Sequence, residues 1–250
     1  MKCVEERIAV YSPHTSWDCV PGGINSWLLT PYGEGEQRPV TVSSGQYPDH
    51  VSHSVSVQGA PVSTDQLSSV LSLPGVMVSV DSTSLNIGCS QHQLVTVLSS
   101  LPPELRSLAR ITEHCRPPLA DTGAGRILTM TTPLTLDTVL QLTKTHLNMR
   151  HLRLALGQGC SMETLVRSIA VCAGSGGSVL AGVSADLVIT GEMSHHECLE
   201  LVSGGVSVIL ADHSNTERGF LAVVREKLSP LLPGVNIVIS SVDRDPLQIV

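Results

Sequence analysis

A strand that leads directly into a helix is predicted near the end of this 250-residue chain, and this junction constrains the fold more than any other segment. The apolar run Val206 to Leu210 is typical of a buried strand, and the segment Asp212 to Gly219 after it begins a helix. His213 and Glu217 are four residues apart, so they lie on neighbouring turns of that helix. Open α/β sheets place their ligands at the carboxyl ends of their strands. The junction therefore predicts an α/β fold with both side chains at the ligand-binding edge.

A second junction with the same spacing lies just upstream. The predicted strand Asp186 to Thr190 leads into a segment in which Ser194 and Glu197 have the spacing of a helix capping box. Ser214 and Glu217 repeat that spacing. Two roles therefore compete for the Glu217 carboxylate. It either closes a capping box with Ser214 or binds a metal ion together with the neighbouring histidine.

Two other groups of residues are expected at the same edge. Glu192 and His196 are predicted catalytic residues, and a surface position on the helix is the alternative for His196. The loop Gly174-Ser175-Gly176 follows a strand and precedes a helix, where exposed amides bind phosphate. This loop lacks the Walker lysine and the dinucleotide fingerprint, so a plain tight turn explains it as well.

The front of the chain contains a similar pair of side chains. His14 and Asp18 are four residues apart and follow a predicted strand from Arg7 to Tyr11. An imidazole and a carboxylate suit Zn²⁺, Mn²⁺ or Fe²⁺. In the structural alternative, Asp18 caps a turn and His14 bonds to the backbone. Trp17 lies between them, with core packing as the alternative to a role in the site.

Three parts of the chain differ in their patterns: residues 1–49, 50–117 and 118–250. After the first strand, the first part contains a short helix from Asn25 to Leu29 and a linker or surface loop from Thr30 to Tyr47. The last part alternates strands and helices, and its apolar strands require cover on both faces, which indicates a layered α/β domain. Its predicted strands are Leu152 to Leu156, Ser168 to Cys172, Asp186 to Thr190, Val206 to Leu210 and Asn236 to Ser240. Its predicted helices are Thr135 to Leu147, Met162 to Val166, Ser178 to Ala181, Ser194 to Val202 and Ser214 to Leu228.

The middle part, residues 50–117, has the element order βαββαβ of a ferredoxin-like domain. It contains no catalytic constellation, so a structural or assembly role is expected. The predicted elements are a strand marked by Val51, Val55 and Val57, a helix that Ser63 caps and that runs through Ser72, strands at Val76 to Val80 and Ser84 to Ile87, a helix from Gln91 to Leu101, and a strand near Ala109 to Glu113.

The composition excludes several classes of function. The net charge of -7 and the absence of a basic cluster argue against direct nucleic-acid binding, and so does an aromatic content of 2%. Seven scattered cysteines fit a reducing compartment better than a disulfide framework. No apolar stretch reaches membrane-spanning length, and the N-terminal residues are not a signal peptide. A cytoplasmic protein that also occurs in the nucleus is expected.

Several motifs together resemble the NIF-three-like family, which is also classed with the type 2 GTP cyclohydrolase I homologues. In chain order they are Ser12-Pro13-His14-Thr15-x-x-Asp18, Gly22-Gly23-x-Asn25, Thr122-Gly123-x-Gly125-Arg126, Ala173-Gly174-Ser175-Gly176, Thr190-Gly191-Glu192-x-Ser194-His195-His196 and His213-Ser214-x-x-Glu217-Arg218-Gly219. The terminal Asp243-Arg244-Asp245-Pro246-Leu247 is similar to the vertebrate-type member.

The resemblance implies two α/β lobes around a two-metal centre, an inserted domain between them, and assembly into dimers or hexamers. Asp18, His213 and Glu217 match metal ligands of the family, with Glu192 and His196 nearby. The family also has a paired His-His-Pro motif upstream of these segments, which this chain lacks. The resemblance thus describes a fold that is incomplete at its N-terminus, with one metal ion or none, weak metal affinity and low solubility.

Two functions are compatible with this resemblance. One is a metal-dependent hydrolase of nucleotide-like or phosphorylated small molecules, with little catalysis by this chain. The other is a non-enzymatic interaction protein that acts as a transcriptional corepressor through protein partners. The sequence does not identify a substrate.

Overall fold

The computed structural model describes residues 2–47, 50–59 and 62–247. The strands are β1 Gly35–Arg38, β2 Thr41–Ser44, β3 His53–Gln58, β4 Met77–Val80, β5 Ser84–Cys89, β6 Arg110–Glu113, β7 Pro118–Ala124, β8 Arg126–Thr135, β9 Arg153–Ala155, β10 Leu165–Ser175, β11 Leu187–Glu192 and β12 Ser207–Leu210. The helices are α1 Lys2–Glu5, α2 Ser16–Cys19, α3 Ile24–Leu29, α4 Ser68–Leu71, α5 Leu94–Ser100, α6 Pro103–Ser107, α7 Leu136–Leu147, α8 Gly177–Leu180, α9 His195–Ser203, α10 Asn215–Arg218 and α11 Phe220–Leu228. Short 3-10 turns lie at Thr30–Tyr32, Thr64–Leu67 and Gln91–Gln93.

The chain divides into two compact units, residues 1–43 with 120–250 and residues 44–119. The first unit contains a six-stranded sheet in the order β1-β8-β10-β11-β12-β9. Strands β10, β11 and β12 are parallel to one another, whereas β8, β1 and β9 pair antiparallel. Because the three parallel strands run in the same direction, their carboxyl ends meet at one edge of the sheet.

Helices cover both faces of this sheet. Ile169 and Val171 of β10 pack in a core with α3, α7 and α11, whereas Ala170 and Cys172 pack in a second core with α8 and α9. Full burial of one large aliphatic side chain contributes roughly 1.5–3 kcal/mol, so both cores stabilise the sheet substantially. The predicted layered α/β fold class is therefore confirmed.

The second unit is the predicted ferredoxin-like domain. Its sheet is antiparallel in the order β4-β5-β3-β6, which is the order expected for βαββαβ connectivity. Alternate residues such as Val55, Leu85 and Ile87 are fully buried in a core that also contains Val97 of α5. Ser63 begins the first helical segment, as predicted, and forms a capping box with Gln66. The short helix α6 was not predicted.

Two strands lie where the sequence predicted only a linker from Thr30 to Tyr47. Strand β1 pairs with β8, and β2 pairs with β7. All four residues of β1 are exposed, so this strand carries no apolar pattern by which it could be recognised. Strands β7 and β8 were also missed, although β8 is central to the hydrogen bonding of the sheet.

Three other sequence predictions are wrong. The segment from Arg7 to Tyr11 forms no ladder with any described strand, and Ile8, Val10 and Tyr11 are exposed. The segment from Asn236 to Ser240 also forms no strand. Instead of a helix from Met162 to Val166, a turn precedes the start of β10 at Leu165. An apolar run forms a strand only where a partner strand satisfies its backbone groups.

The remaining predicted elements of the α/β unit are confirmed with small shifts at their ends. They correspond to α3, β9, the central part of β10, β11, β12, α7, α8 and α9. The predicted helix from Ser214 to Leu228 is present as α10 and α11, which are separated at Gly219. None of the helices in the described parts of the chain is long and apolar enough to cross a membrane.

The burial of His146 predicts a pH-dependent stability. Its ring lies 4.3 Å from that of Trp27, centroid to centroid, and burial lowers its pKa, although a hydrogen bond with the Trp27 backbone opposes this. As the pH falls below about 6.5, the unfolded chain therefore binds a proton at this residue before the folded chain does. The free energy of unfolding should thus decrease with falling pH until the folded-state pKa has been passed.

His146→Phe should reduce this dependence. Urea unfolding between about pH 7.5 and pH 5 should show a smaller loss of stability in this variant than in the unmodified chain. The matched control is His151→Phe, because His151 is an exposed histidine five residues further along the chain. An unchanged pH dependence in His146→Phe would show that His146 does not contribute to it.

Candidate functional site

A cavity of about 730 Å³ lies at the edge of the sheet where the three parallel strands end. Its lining includes Asp18 from α2, the end of β10, and His213 and Glu217 from the junction after β12. The cavity thus contains the three side chains that the sequence predicted as metal ligands. Its size is typical of small-molecule sites.

His213 is held between two carboxylates. Its Nδ1 lies 3.0 Å from Oε2 of Glu192, which is the last residue of β11, and its Nε2 lies 3.4 Å from Oε1 of Glu217. When Nδ1–H donates to Glu192, the lone pair of the neutral ring is on Nε2. Glu192 therefore orients the imidazole and directs its free nitrogen toward Glu217.

Glycines allow the backbone to lie directly beneath this group. A Cβ on Gly174 would lie 2.8 Å from Nε2 of His213 and 2.9 Å from Oε1 of Glu217, and the φ of Gly174 is +66°. A Cβ on Gly191 would lie 2.6 Å from the carbonyl oxygen of Gly174. Both positions therefore require glycine, because any side chain would displace His213 or the neighbouring backbone.

Asn25 fixes the position of Asp18 relative to the sheet. The Asn25 side chain is fully buried; its Oδ1 accepts a hydrogen bond from the Ala173 amide at 2.8 Å, and its Nδ2 donates to the Asp18 carbonyl at 3.0 Å. Ala173 belongs to β10 and precedes Gly174. One amide side chain thus connects the α2 segment with the strand that forms the base of the cavity.

The charges in the cavity influence one another. Burial raises the pKa of Asp18 above its usual value, although the nearby His14 and His213 oppose this effect. Burial also raises the pKa of Glu217, and the negative charge of Asp18 adds to the increase. The hydrogen bond that His213 donates to Glu192 raises the pKa of His213. The two carboxylates thus lie where an additional positive charge would be stabilising.

The capping alternative for Ser214 is wrong. Its backbone is helical and its side chain makes no cap hydrogen bond to the helix, so Glu217 is free to face the cavity. At the other junction, Ser194 and Glu197 do form the complete capping box. The capping prediction is therefore confirmed at Ser194 and Glu197 only.

The two residues predicted as catalytic lie in different surroundings. Glu192 contacts His213, as described above. His196 is exposed in the first turn of α9, and its ring lies 6.0 Å from that of His195, centroid to centroid. It is not among the residues that line the cavity. A catalytic role for His196 stays a prediction, and the structure brings it into no contact with the group around His213.

The glycine loop after β10 is only partly available to a ligand. Gly174 and Ser175 line the cavity. The amide of Gly174 donates to Oγ1 of Thr216 at 2.8 Å, and the amide of Gly176 donates to the Glu192 carbonyl at 3.3 Å. Two of the three amides predicted to bind phosphate are thus used within the protein, and phosphate binding by this loop stays a prediction.

Some residues that shape the site had no assigned role in the sequence analysis. Thr216 is fully buried and bonds to the backbone of both Gly174 and His213. Asp212 has a φ of +61° and forms an ion pair with Arg153 at 2.9 Å. Left-handed backbone at a residue other than glycine is uncommon and concentrates at functional sites. The Asp-His pair after an apolar strand was the only signal that could have indicated Asp212.

The donors in the cavity suit a divalent cation by their chemistry. An imidazole nitrogen and carboxylate oxygens are ligands of Zn²⁺, Mn²⁺ and Fe²⁺, and His213 and Glu217 line one cavity with Asp18. Within the described ranges, no three His, Cys, Asp or Glu side chains already surround one ion position.

Together, the sheet and this cavity define a layered α/β protein with an imidazole–carboxylate group at the carboxyl ends of its parallel strands. Comparison with known proteins agrees with this description. The sequence model of Duf34/NIF3 (NGG1p interacting factor 3) matches residues 1–246. The chain belongs to this family, so the resemblance inferred from its motifs is confirmed.

Individual relatives and solved structures agree with this assignment. NIF3-like protein 1 of Mus musculus is 42% identical over 265 residues, which cover 100% of this chain and 70% of the relative. NGG1-interacting factor 3 of Saccharomyces cerevisiae is 27% identical over 253 residues, covering 100% of this chain and 64% of the relative. The fold is similar to that of Staphylococcus aureus protein SA1388, with a TM-score of 0.62 and 19% identity; the match covers 100% of this chain and 74% of the other. It is also similar to a Bacillus cereus protein related to NIF3, with a TM-score of 0.57, 20% identity and coverage of 100% and 75%.

Asn25→Ala should destabilise the protein markedly, because it leaves the buried Ala173 amide without its acceptor. Loss of a buried hydrogen-bond partner costs about 1–3 kcal/mol, which urea unfolding would measure. The control Asn86→Ala changes an exposed asparagine of β5 and should have little effect. Equal stability of the two variants would show that the Asn25 bridge contributes nothing to folding.

Proposed function

We propose that this chain binds a divalent cation in the cavity through Asp18, His213 and Glu217, and that the site hydrolyses a nucleotide-like or phosphorylated small molecule. The observation that carries the proposal is the hydrogen bond from Nδ1 of His213 to Glu192. Histidines that bind metal ions usually donate their second ring N–H to a carboxylate or carbonyl, which fixes the ring and its tautomer. Nε2 of His213 is thereby available as a ligand.

The carboxylates support the same proposal. Asp18 and Glu217 line one cavity with His213, and the partial burial that raises the pKa of both acids makes their negative charge costly when no cation is near. A divalent cation supplies Lewis acidity, which polarises the bond to be cleaved and activates water. The protein's own contribution is to hold the ligands, through Glu192 and Asn25, and to enclose the substrate in the cavity.

Variants of the ligands and of Glu192 test this proposal. Asp18→Asn and Glu217→Gln should each abolish saturable Mn²⁺ or Zn²⁺ binding in isothermal titration. Glu192→Gln should weaken binding by about 10–100-fold, as expected for a residue that orients a ligand. Asp137→Asn is the matched control, because it removes an exposed carboxylate from the first turn of α7.

Two results would contradict the proposal. One is the absence of any saturable binding of these cations to the unmodified chain. The other is unchanged affinity in Asp18→Asn and Glu217→Gln, which would place a bound ion elsewhere. Hydrolysis can be screened on the same samples with phosphorylated compounds, with and without the cation.

A second function is favoured by the name of a relative. The Saccharomyces cerevisiae relative is named NGG1-interacting factor 3, which describes binding to another protein. We propose, as the alternative, that this chain acts in transcription as a corepressor through a protein partner, without direct nucleic-acid contact. The net charge of -7 is consistent with a role that involves no direct nucleic-acid contact.

One double variant separates the two functions. Asp18→Ala with Glu217→Ala should abolish hydrolysis if the site is catalytic, whereas it should leave the capture of a protein partner intact if the chain acts through its surface.

We also propose that the chain assembles into a dimer or hexamer. Light scattering coupled to size-exclusion chromatography would measure this mass, and a monomer would contradict it.

A further inference from the structure

One wall of the cavity is formed by a segment near the end of the chain that had no assigned role. Asp243, Arg244 and Pro246 line the cavity, although this segment contains neither helix nor strand. A segment without regular structure needs side-chain contacts to keep its position.

Two aspartates provide these contacts. Oδ2 of Asp243 accepts a hydrogen bond from Nε of Arg218 at 2.7 Å. The carboxylate of Asp245 accepts a hydrogen bond from the Leu247 amide at 2.9 Å, which lowers its pKa. Arg218 lies in α10, which also carries Glu217, and Ser214 immediately precedes this helix. The segment is therefore attached to the same element that positions a predicted metal ligand.

Arg244 lies between these two aspartates and differs from them in its contacts. Both neighbouring carboxylates interact with other groups, and Arg244 forms no ion pair with a described residue. Arg244 therefore adds to the cavity lining a residue whose positive charge no described carboxylate neutralises, and Asp18 and Glu217 are among the other charged residues of that lining. An arginine is always protonated and can bind a phosphate or a carboxylate through two parallel hydrogen bonds.

We propose that Arg244 binds the anionic group of the small molecule that occupies the cavity and so determines a preference for anionic ligands. The Asp243–Arg218 contact attaches the segment beside Arg244, and no carboxylate of the described residues pairs with the Arg244 guanidinium. A phosphate and a carboxylate would bind through the same chemistry. The inference rests on the proposed function, because it assigns a ligand class to the same site.

The test compares three probes of similar size: phenyl phosphate, benzoate and the uncharged benzyl alcohol. Isothermal titration would measure their affinity for the whole chain, with and without Mn²⁺. Arg244→Ala should weaken the binding of an anionic probe by about tenfold or more and leave benzyl alcohol unchanged. Arg244→Lys should give an intermediate loss, since it retains the charge without the planar fork.

Arg225→Ala is the matched control, because Arg225 is an exposed arginine of α11 and does not line the cavity. Thermal unfolding of each variant would show whether the fold is intact. A loss confined to phenyl phosphate would assign the site to phosphates, and an equal loss for benzoate would extend it to carboxylates. Both results support the inference.

Other outcomes would overturn it. They are the failure of both anionic probes to bind the unmodified chain, equal affinities of the unmodified chain and Arg244→Ala, and a loss for benzyl alcohol as large as for the anions. Mn²⁺ binding is measured separately and distinguishes the two proposals. Normal Mn²⁺ binding with no effect of Arg244→Ala rejects only the inference, whereas a chain that binds the anions through Arg244 but no cation rejects only the proposed function.

Discussion

The close approach of the Gly174 backbone to His213 and Glu217 is the constraint on which the rest of the site depends. With a Cβ at this position only 2.8 Å from Nε2 of His213, the imidazole and the end of β10 could not occupy their present places. The approach is possible because β10, β11 and β12 are in parallel register and end at one edge. The parallel arrangement of these three strands therefore determines which side chains meet in the cavity.

Two polar side chains, Thr216 and Asn25, hydrogen-bond to the end of β10. The Gly174 amide donates to Thr216 and the preceding Ala173 amide to Asn25, so the strand stays hydrogen-bonded across the register shift between Cys172 and Ser175. Both partners are fully buried, and a buried amide without a partner would be costly. These two contacts bring α10 and α2 to the same strand, and with them Glu217 and Asp18.

Local patterns were sufficient to predict the parallel strands and the ligand-bearing junctions, because β11 and β12 each contain a buried apolar run, at residues 187–189 and 208–210, with polar residues shortly after it. The antiparallel side of the sheet could not be predicted in the same way. Strand β1 is exposed along its length, and β8 contains a proline and several threonines. Pairing between residues 35–38 and 127–130 depends on contacts distant in sequence, which a local pattern does not contain. The reverse error occurred at Asn236 to Ser240, where an apolar pattern has no partner strand.

The two junctions with the same serine–glutamate spacing show how backbone geometry decides between a structural and a functional role. Ser194 has an extended backbone, with a ψ of 158°, which lets its side chain accept the amide of Glu197. Ser214 follows the left-handed residue Asp212, and its own ψ of -21° is already helical, so its side chain cannot reach the same amide. Glu217 is thereby released from capping and faces the cavity, while Glu197 is not. A sequence motif shared by both segments thus has different consequences because a single strained residue precedes one of them.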